Sequence, residues 1–473
     1  MNKMIYGVHD KPETPKLIVF AIQQLLAILA ATIAVPAIVG NGMSASAALF
    51  GAGVGTIIYQ LLTKFRSPVF LGSSFAFIGS MLAAFAGATS AQLGFFGLVL
   101  GSVFGGLVYV IIALVVKKVG VNWINKIMPA AVIGPTVALI GLSLAGAAVN
   151  DMFSYGGKVT HGLNQYFEMG AFTWISLFCA LVTLATVIVC SVYGKKMIKL
   201  IPFIIGILAG YAVALIFTVI GYIAGADALK VIDFAPFQAL FAEGVKFTSF
   251  IDLPDFVFID AIKGVKDFEI SYLATVAVAY IPVAFVVFAE HIADHKNLSS
   301  IIGQDLLADP GLDRTLLGDG IGSMAGAFFG GCPNTTYGES VGCVAITKNA
   351  SVATITTTAI MSVVIAFLAP FVAFLDSIPG CVMGGVCVTL YGYIAVSGLK
   401  MIKNVDLDDS ANLFTVSVIL ITGIGGMALA IGKVYITTIA CALILGIITN
   451  FVLNKFKKVP AEVNEKAEEA DGE

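Results

Sequence analysis

Charge is what this 473-residue sequence has least of. Only 12% of its residues are Asp, Glu, Lys or Arg, where soluble domains carry about 25%. Hydrophobic residues make up 59%, and the mean hydropathy is +0.98. Apolar runs of about 18 residues or more recur from Leu17 to Leu453, the signal for transmembrane helices. A soluble core cannot bury so much apolar surface, so the composition excludes a soluble protein and demands a polytopic membrane protein. CxxC motifs are absent as well. Cys179, Cys190, Cys332, Cys343, Cys381, Cys387 and Cys441 all fall inside apolar segments and read as small buried hydrophobes. No Walker lysine follows the Gly-rich runs, and no soluble nucleotide-binding domain is present, so an ATP-driven pump is unsupported. The net charge of −3 says nothing about partners, and no nucleic acid is expected. The N-terminus, with Pro12 and Pro15, is polar and does not read as a cleavable signal peptide.

About 14 apolar segments are expected, near 17–39, 45–63, 69–85, 93–116, 128–149, 171–193, 201–224, 273–292, 315–331, 333–348, 350–375, 379–398, 411–432 and 434–453. With the N-terminus in the cytoplasm, all but six of the 26 basic residues fall on the inner side. The six are Lys158, Lys230, Lys246, Lys263, Lys266 and Lys433, and four of them lie in the long loop 225–272. That asymmetry predicts an even number of spans with both ends cytoplasmic.

Two segments break the apolar pattern. SPVFLGSSFAF (Ser67–Phe77) and GGCPNTTYGESVG (Gly330–Gly342) put Pro, Gly and hydroxyl residues where an unbroken helix was due. Aligned, Gly72-Ser73-Ser74 falls on Gly338-Glu339-Ser340, and a nearly equal offset brings Gln23-Gln24 onto Glu290-His291. Matched segments seven spans apart have opposite topology. Paired broken segments in two inverted halves point to a transporter's midplane site, because irregular backbone at that depth must line a cavity or be buried in protein.

Glu290 and Glu339 are the sharpest polar features, since carboxylates inside a membrane are costly and mark function. Neighbouring helix ends are the bland alternative partners. In VVFAEHIADHKNLSS, Glu290 and Asp294 lie about 40° apart on one helical face, and His291 and His295 share another. Asp294 and His295 are placed a turn nearer the cytoplasm, where a helix end meeting headgroups and Lys296 explains them equally well. His9 and His161 are expected to be solvated. His291 and His295 have the spacing of two zinc ligands, but Ile292 stands where a metalloprotease has Glu, and no third ligand is evident. Leu317-Gly318-Asp319-Gly320 lacks the first Gly of the intramembrane aspartyl protease motif, and Asp319 is expected to tie its helix instead. No enzyme and no metal site is predicted. Two acids beside free backbone N–H groups suit a ligand with alternating N–H and C=O groups: a nucleobase, an amide or a cation.

The runs QDLLADPGLDRTLLGDG, GGCPNTTYGESVGCVAITK, IPGCVMGGVCVTLYGYIAVSGLK, VFLGSSFAFIGS and FAEHIADH resemble the nucleobase–ascorbate transporter family, in its bacterial uracil permease branch. The likeness extends from the QQLLAILAATIAVP run to the last span. Glu339 matches the uracil branch, where xanthine-type relatives usually have Gln. The resemblance implies an all-α fold of a 7+7 inverted repeat, with short extended stretches in segments 3 and 10. It implies an N-tail (1–16), a core domain (17–119 and 273–376), a gate domain (120–224 and 377–453), an extracellular loop (225–272) and a C-tail (454–473). By resemblance, Glu290 and Glu339 bind the base. Backbone at Phe75 and Gly338 meets its polar edge, Ser74 and Tyr337 line the site, and Tyr391 faces it from the gate. Protons are the implied coupling ion, with no other cofactor, and a homodimer in the plasma membrane is the implied assembly. Three positions depart from the family: Gln24 where it has His, Ser340 where it has Asn, and Asp294, with His295 one further, where some relatives have His.

The expected activity is proton-coupled uptake of uracil by alternating access. Glu290, Glu339, Asp294 and His295 are the candidates for moving the proton, because two ionised acids in one dry pocket repel each other. A xanthine or uric acid permease and an uncoupled channel or facilitator are the alternatives. An anion exchanger is disfavoured by Glu339 at the start of a half-helix.

Overall fold

The computed structural model describes residues 4–456 except 121–128, 155, 162–163, 196, 243 and 432–433. Lys3, Lys126, Lys196, Lys433, Lys457, Lys458 and Lys466 of the charge count lie outside the described residues, as do residues 1–3 and 457–473 of the two tails.

The first half of the chain runs α1 (Thr14–Val39), α2 (Ala45–Leu62), β1 (Leu71–Ser73), α3 (Ile78–Ala86) and α4 (Ala91–Val119). It continues through α5 (Ala130–Ser143), α6 (Ala145–Met152), the β2–β3 hairpin (Lys158–His161, Asn164–Phe167), α7 (Ala171–Tyr193) and α8 (Pro202–Ala224). The second half runs α9 (Ile270–Ile302), α10 (Leu312–Gly330), β4 (Asn334–Thr336), α11 (Gly338–Thr347), α12 (Val352–Ile365) and α13 (Ala369–Asp376). It ends with α14 (Gly380–Ile402), α15 (Ser410–Ile424), the β5–β6 hairpin (Leu429–Ile431, Val434–Ile436) and α16 (Thr438–Phe456). Among the described residues, nine helices are long and apolar enough to cross a membrane. The protein is a polytopic all-α membrane protein.

Several expected spans are built differently. The eighth ends at Ile302 rather than near 292, so Asp294 and His295 sit inside a helix and not at its headgroup end. The eleventh is two helices, with Pro370 starting the second. The thirteenth helix stops at Ile424, and the hairpin takes up the chain expected to be helical to 432.

The helices pack chiefly in two groups. One holds α1–α4 with α9–α12; the other holds α5–α8 with α14–α16. Small residues permit the closest crossing. A Cβ on Gly51 of α2 would run into the carbonyl of Gly326 on α10. The loop 225–272 folds back over the first group. Ile251 pairs with Leu368, Asp252 N–H donates to Phe367 C=O at 3.0 Å, and Phe256 meets Phe50 edge-on at 4.8 Å. Described residues of the N-tail are also tied down. Ala350 N–H donates to Tyr6 C=O at 2.9 Å and Val352 N–H to Val8 C=O at 3.0 Å, while His9 is exposed. His161 is likewise exposed. All seven cysteines are buried and free.

Candidate functional site

The two broken segments meet each other. β1 and β4 pair antiparallel with Gly72 opposite Thr335, and Ser74 N–H donates to Pro333 C=O at 2.9 Å. Each short strand leads to a half-helix, α3 or α11. The strands place the internal equivalence at 334 − 71 = 263 residues. Ser74 and Phe75 thereby correspond to Tyr337 and Gly338, a correction of three residues to the alignment of Gly72 with Gly338.

Irregular backbone at this depth survives because side chains answer its polar groups. Thr56 Oγ1 donates to Leu71 C=O at 3.1 Å and accepts from Leu71 N–H at 2.9 Å. Gln60 Nε2 donates to the carbonyls of Ser67 and Val69 at 2.9 and 3.0 Å. Asn334 Nδ2 donates to Gly51 C=O at 3.0 Å, and Tyr337 Oη donates to Ser73 C=O at 2.9 Å. Helix α2 is therefore the scaffold of the crossing.

A cavity of about 380 Å³ opens beside it. Its first wall comes from Ser74, Phe75 and Ala76, from Glu290, Ala293 and Asp294 of α9, and from Thr335–Glu339. The facing wall comes from the second helix group: Val137 and Ile140 of α5, Phe203 of α8, and Leu390, Tyr393, Ile394, Ser397 and Met401 of α14. Glu290 and Glu339 share the cavity, both half-buried, and Gly338 is exposed to it. Glu339 stands in the first turn of α11, where helix geometry leaves backbone N–H groups without intrahelical partners. The lining descends α14 to Met401, toward the end of the molecule where Lys199, Lys400 and Lys403 are exposed. A second cavity, of about 220 Å³, lies at the opposite end of the seam between Ile33, Ala37 and Met43 and Ile378 and Met383.

Of the residues named from sequence, Glu290, Glu339, Gly338, Phe75, Ser74, Tyr337 and Asp294 all line this cavity. Asp294 Oδ2 accepts from Thr336 Oγ1 at 2.6 Å. Tyr391 is 2% exposed and stands behind the lining, its ring 6.2 Å from that of Phe75. His295 is fully buried away from the cavity. Its Nε2 lies 2.7 Å from Tyr59 Oη and its Nδ1 2.8 Å from the carbonyl of His291. His291 is equally buried, with Nδ1 2.7 Å from Asp319 Oδ2 and Nε2 3.0 Å from Thr315 Oγ1. Asp319 thus ties α10 to α9. Among the described residues no cluster of His, Cys, Asp and Glu could hold a metal.

Sequence reading missed Thr335, Thr336 and the facing wall. Leu390, Tyr393, Ile394, Ser397 and Met401 share one face of α14 at helical spacing, next to the buried Tyr391. Gln24, the position where the family's His is replaced, donates from Nε2 to Ser340 Oγ, the position where its Asn is replaced.

Residues 15–432 match a family described as the permease family. The chain is 37% identical over 457 residues to the uracil permease of Bacillus caldolyticus, covering 96% of this chain and 95% of that one. It is 31% identical over 478 residues to the uracil permease of Escherichia coli (strain K12), covering 100% and 99%. Among solved structures, the transmembrane domain of the cyanobacterial bicarbonate transporter BicA gives a TM-score of 0.60 at 13% identity, covering 94% of this chain and 100% of that one. The murine anion transporter Slc26a9 in its inward-facing state gives 0.62 at 11% identity, covering 94% and 69%. At such identities the likeness speaks for the fold alone.

Proposed function

The chain belongs to the permease family, in the uracil permease branch of the nucleobase–ascorbate transporters, and from that premise we propose that it takes up uracil together with protons by alternating access. The observation that carries this reading is the meeting of Glu290, from the long helix α9, and Glu339, from the half-helix α11, in one cavity. Uracil presents two N–H donors and two carbonyl acceptors. The carboxylates accept from the ring N–H groups. Backbone N–H groups at Gly338 and Phe75 answer the carbonyls, and Phe75 offers its ring to the base. A small anion would meet two carboxylates at the place where the half-helix would otherwise attract it.

The same pair supplies the coupling. Two ionised carboxylates in a cavity closed off from water would repel each other strongly. One proton on the pair relieves that cost, and the pair takes it up as a unit. The proton enters with the base from outside and leaves to the cytoplasm, with Asp294 on the exit side of Glu290. His295, buried against Tyr59, serves this route through its neighbours, without facing the base.

Two cavities on one seam support the alternating-access reading. The core domain (17–119 and 273–376) carries the acids, and the gate domain (120–224 and 377–453) carries α5, α8 and α14. The larger cavity reaches the Lys-rich end, which is the cytoplasmic side in this proposal, so the structure is inward-facing. Both termini are cytoplasmic, the plasma membrane is the location, and a homodimer is the assembly. A competition panel of uracil, thymine, xanthine and uric acid on cells expressing the protein tests the substrate. Inhibition by uracil over the purines is expected; preference for xanthine or uric acid would overturn it.

A further inference from the structure

A much smaller cavity lies behind strand β4. It measures about 10 Å³ and is lined by Tyr109 of α4, Asp319 and Ser323 of α10, and Asn334 and Thr335 of β4. Thr335 also lines the large cavity, so it is the partition between the two spaces. Asp319 is 1% exposed and Tyr109 is 4% exposed. Asp319 Oδ2 is taken by His291, but Asp319 Oδ1 is buried with no hydrogen-bond partner among the described residues. Tyr109 Oη is in the same condition. Buried polar atoms are rarely left so, and each orphan is costly.

We propose that this cavity binds one occluded water molecule, held between Asp319 Oδ1 and Tyr109 Oη. Its size decides the class of ligand. One water needs on the order of 10–15 Å³ of such space and two to four polar partners. Nothing larger fits. The water donates one hydrogen to Asp319 Oδ1 and accepts from the Tyr109 hydroxyl. Its second hydrogen turns toward Ser323 or Thr335, which line the same space. Asn334 is partly committed, since its Nδ2 donates to Gly51. The water thereby joins α4 to α10 on the far side of the Asp319–His291 contact, and it supports Thr335 from behind. His291 and Asp319, which do not line the large cavity, act on the substrate only through this support, so they are positioning residues.

The structural half of the inference stands without the uracil reading; only its effect on transport rests on it. An experimental structure of the full chain in lipid, at a resolution that shows ordered water, tests the first half. A density peak within hydrogen-bond distance of both Asp319 Oδ1 and Tyr109 Oη is expected. A direct Tyr109–Asp319 hydrogen bond with no peak would overturn the proposal. So would a thermal shift specific to sodium over choline chloride that is lost in Asp319→Asn, which would assign a cation there. For the second half, Ser323→Val fills the space and removes a hydroxyl. Its KM for uracil should rise several-fold with kcat little changed and the peak gone. An unchanged KM in a variant that has lost the peak would show that the water does not support the site.

Discussion

Asp294 Oδ2 accepts a 2.6 Å hydrogen bond from Thr336 Oγ1, linking the helix that carries Glu290 to the strand that leads to Glu339. The segments that carry the two acids are thus joined through one side-chain contact within the same wall of the cavity. A side-chain hydrogen bond of this kind contributes about 0.5–1.5 kcal/mol. Thr336→Val and Asp294→Ala should each weaken uracil binding, and the double variant should be far from additive, with a coupling energy of about 0.5–3 kcal/mol. Binding measured on all four proteins of the cycle checks this; strict additivity would show the contact to be idle.

The Gln24–Ser340 hydrogen bond fastens α1 to the half-helix one residue after Glu339. Both residues are buried, at 2% and 0% exposure. Ser340→Ala strands the Gln24 amide, at a cost of about 1–3 kcal/mol. Gln24→Leu with Ser340→Ala removes both partners and should restore part of the melting temperature lost by Ser340→Ala alone. Melting curves of the purified variants decide it.

Val8 is 6% exposed and packs with Leu71 of β1 and Val341 and Val344 of α11. The described part of the N-tail therefore supports the strand crossing instead of trailing free. Val8→Ala deletes two buried carbons, worth about 1.6 kcal/mol before any cavity term. A lowered melting temperature is expected, with Ile5→Ala, at a 62% exposed position of the same tail, as the control. No change for Val8→Ala would mean that the tail is merely resting there.

Gly51 stands against the Gly326 carbonyl with no room for a Cβ. Gly51→Val should prevent α2 from reaching α10 and abolish folded protein, because overpacking at a helix crossing costs about 1–3 kcal/mol or more. Gly40→Ala is a poor control because Gly40 has φ +64; Gly380→Ala, which meets nothing within 4 Å, should be well tolerated. Expression and size-exclusion profiles of the two variants separate the cases.

How far the sequence carries can be judged residue by residue. Glu290 and Glu339 were legible because an acid in an apolar run has few other reasons to be there. The broken segments were legible because Pro, Gly and Ser interrupt a period that is otherwise continuous. The three-residue error in the repeat arose because Gly72 and Gly338 have different jobs: one lies in a strand, the other starts a helix. His291 and His295 drew attention by type and spacing, yet their partners are Asp319 and Tyr59, which only the tertiary fold brings near. The facing wall went unseen because Phe203, Tyr393 and Met401 are apolar residues in apolar helices, indistinguishable there from lipid-facing ones.

The central claim is that uracil and a proton move together through the Glu290–Glu339 pair. Accumulation of labelled uracil in cells, with and without a protonophore, tests it most directly for the wild type and for Glu290→Gln expressed at equal levels. The account predicts that the wild type concentrates uracil above the external level, that the protonophore abolishes this, and that Glu290→Gln never concentrates it. Accumulation that survives the protonophore, or concentrative uptake by Glu290→Gln equal to that of the wild type, would contradict it.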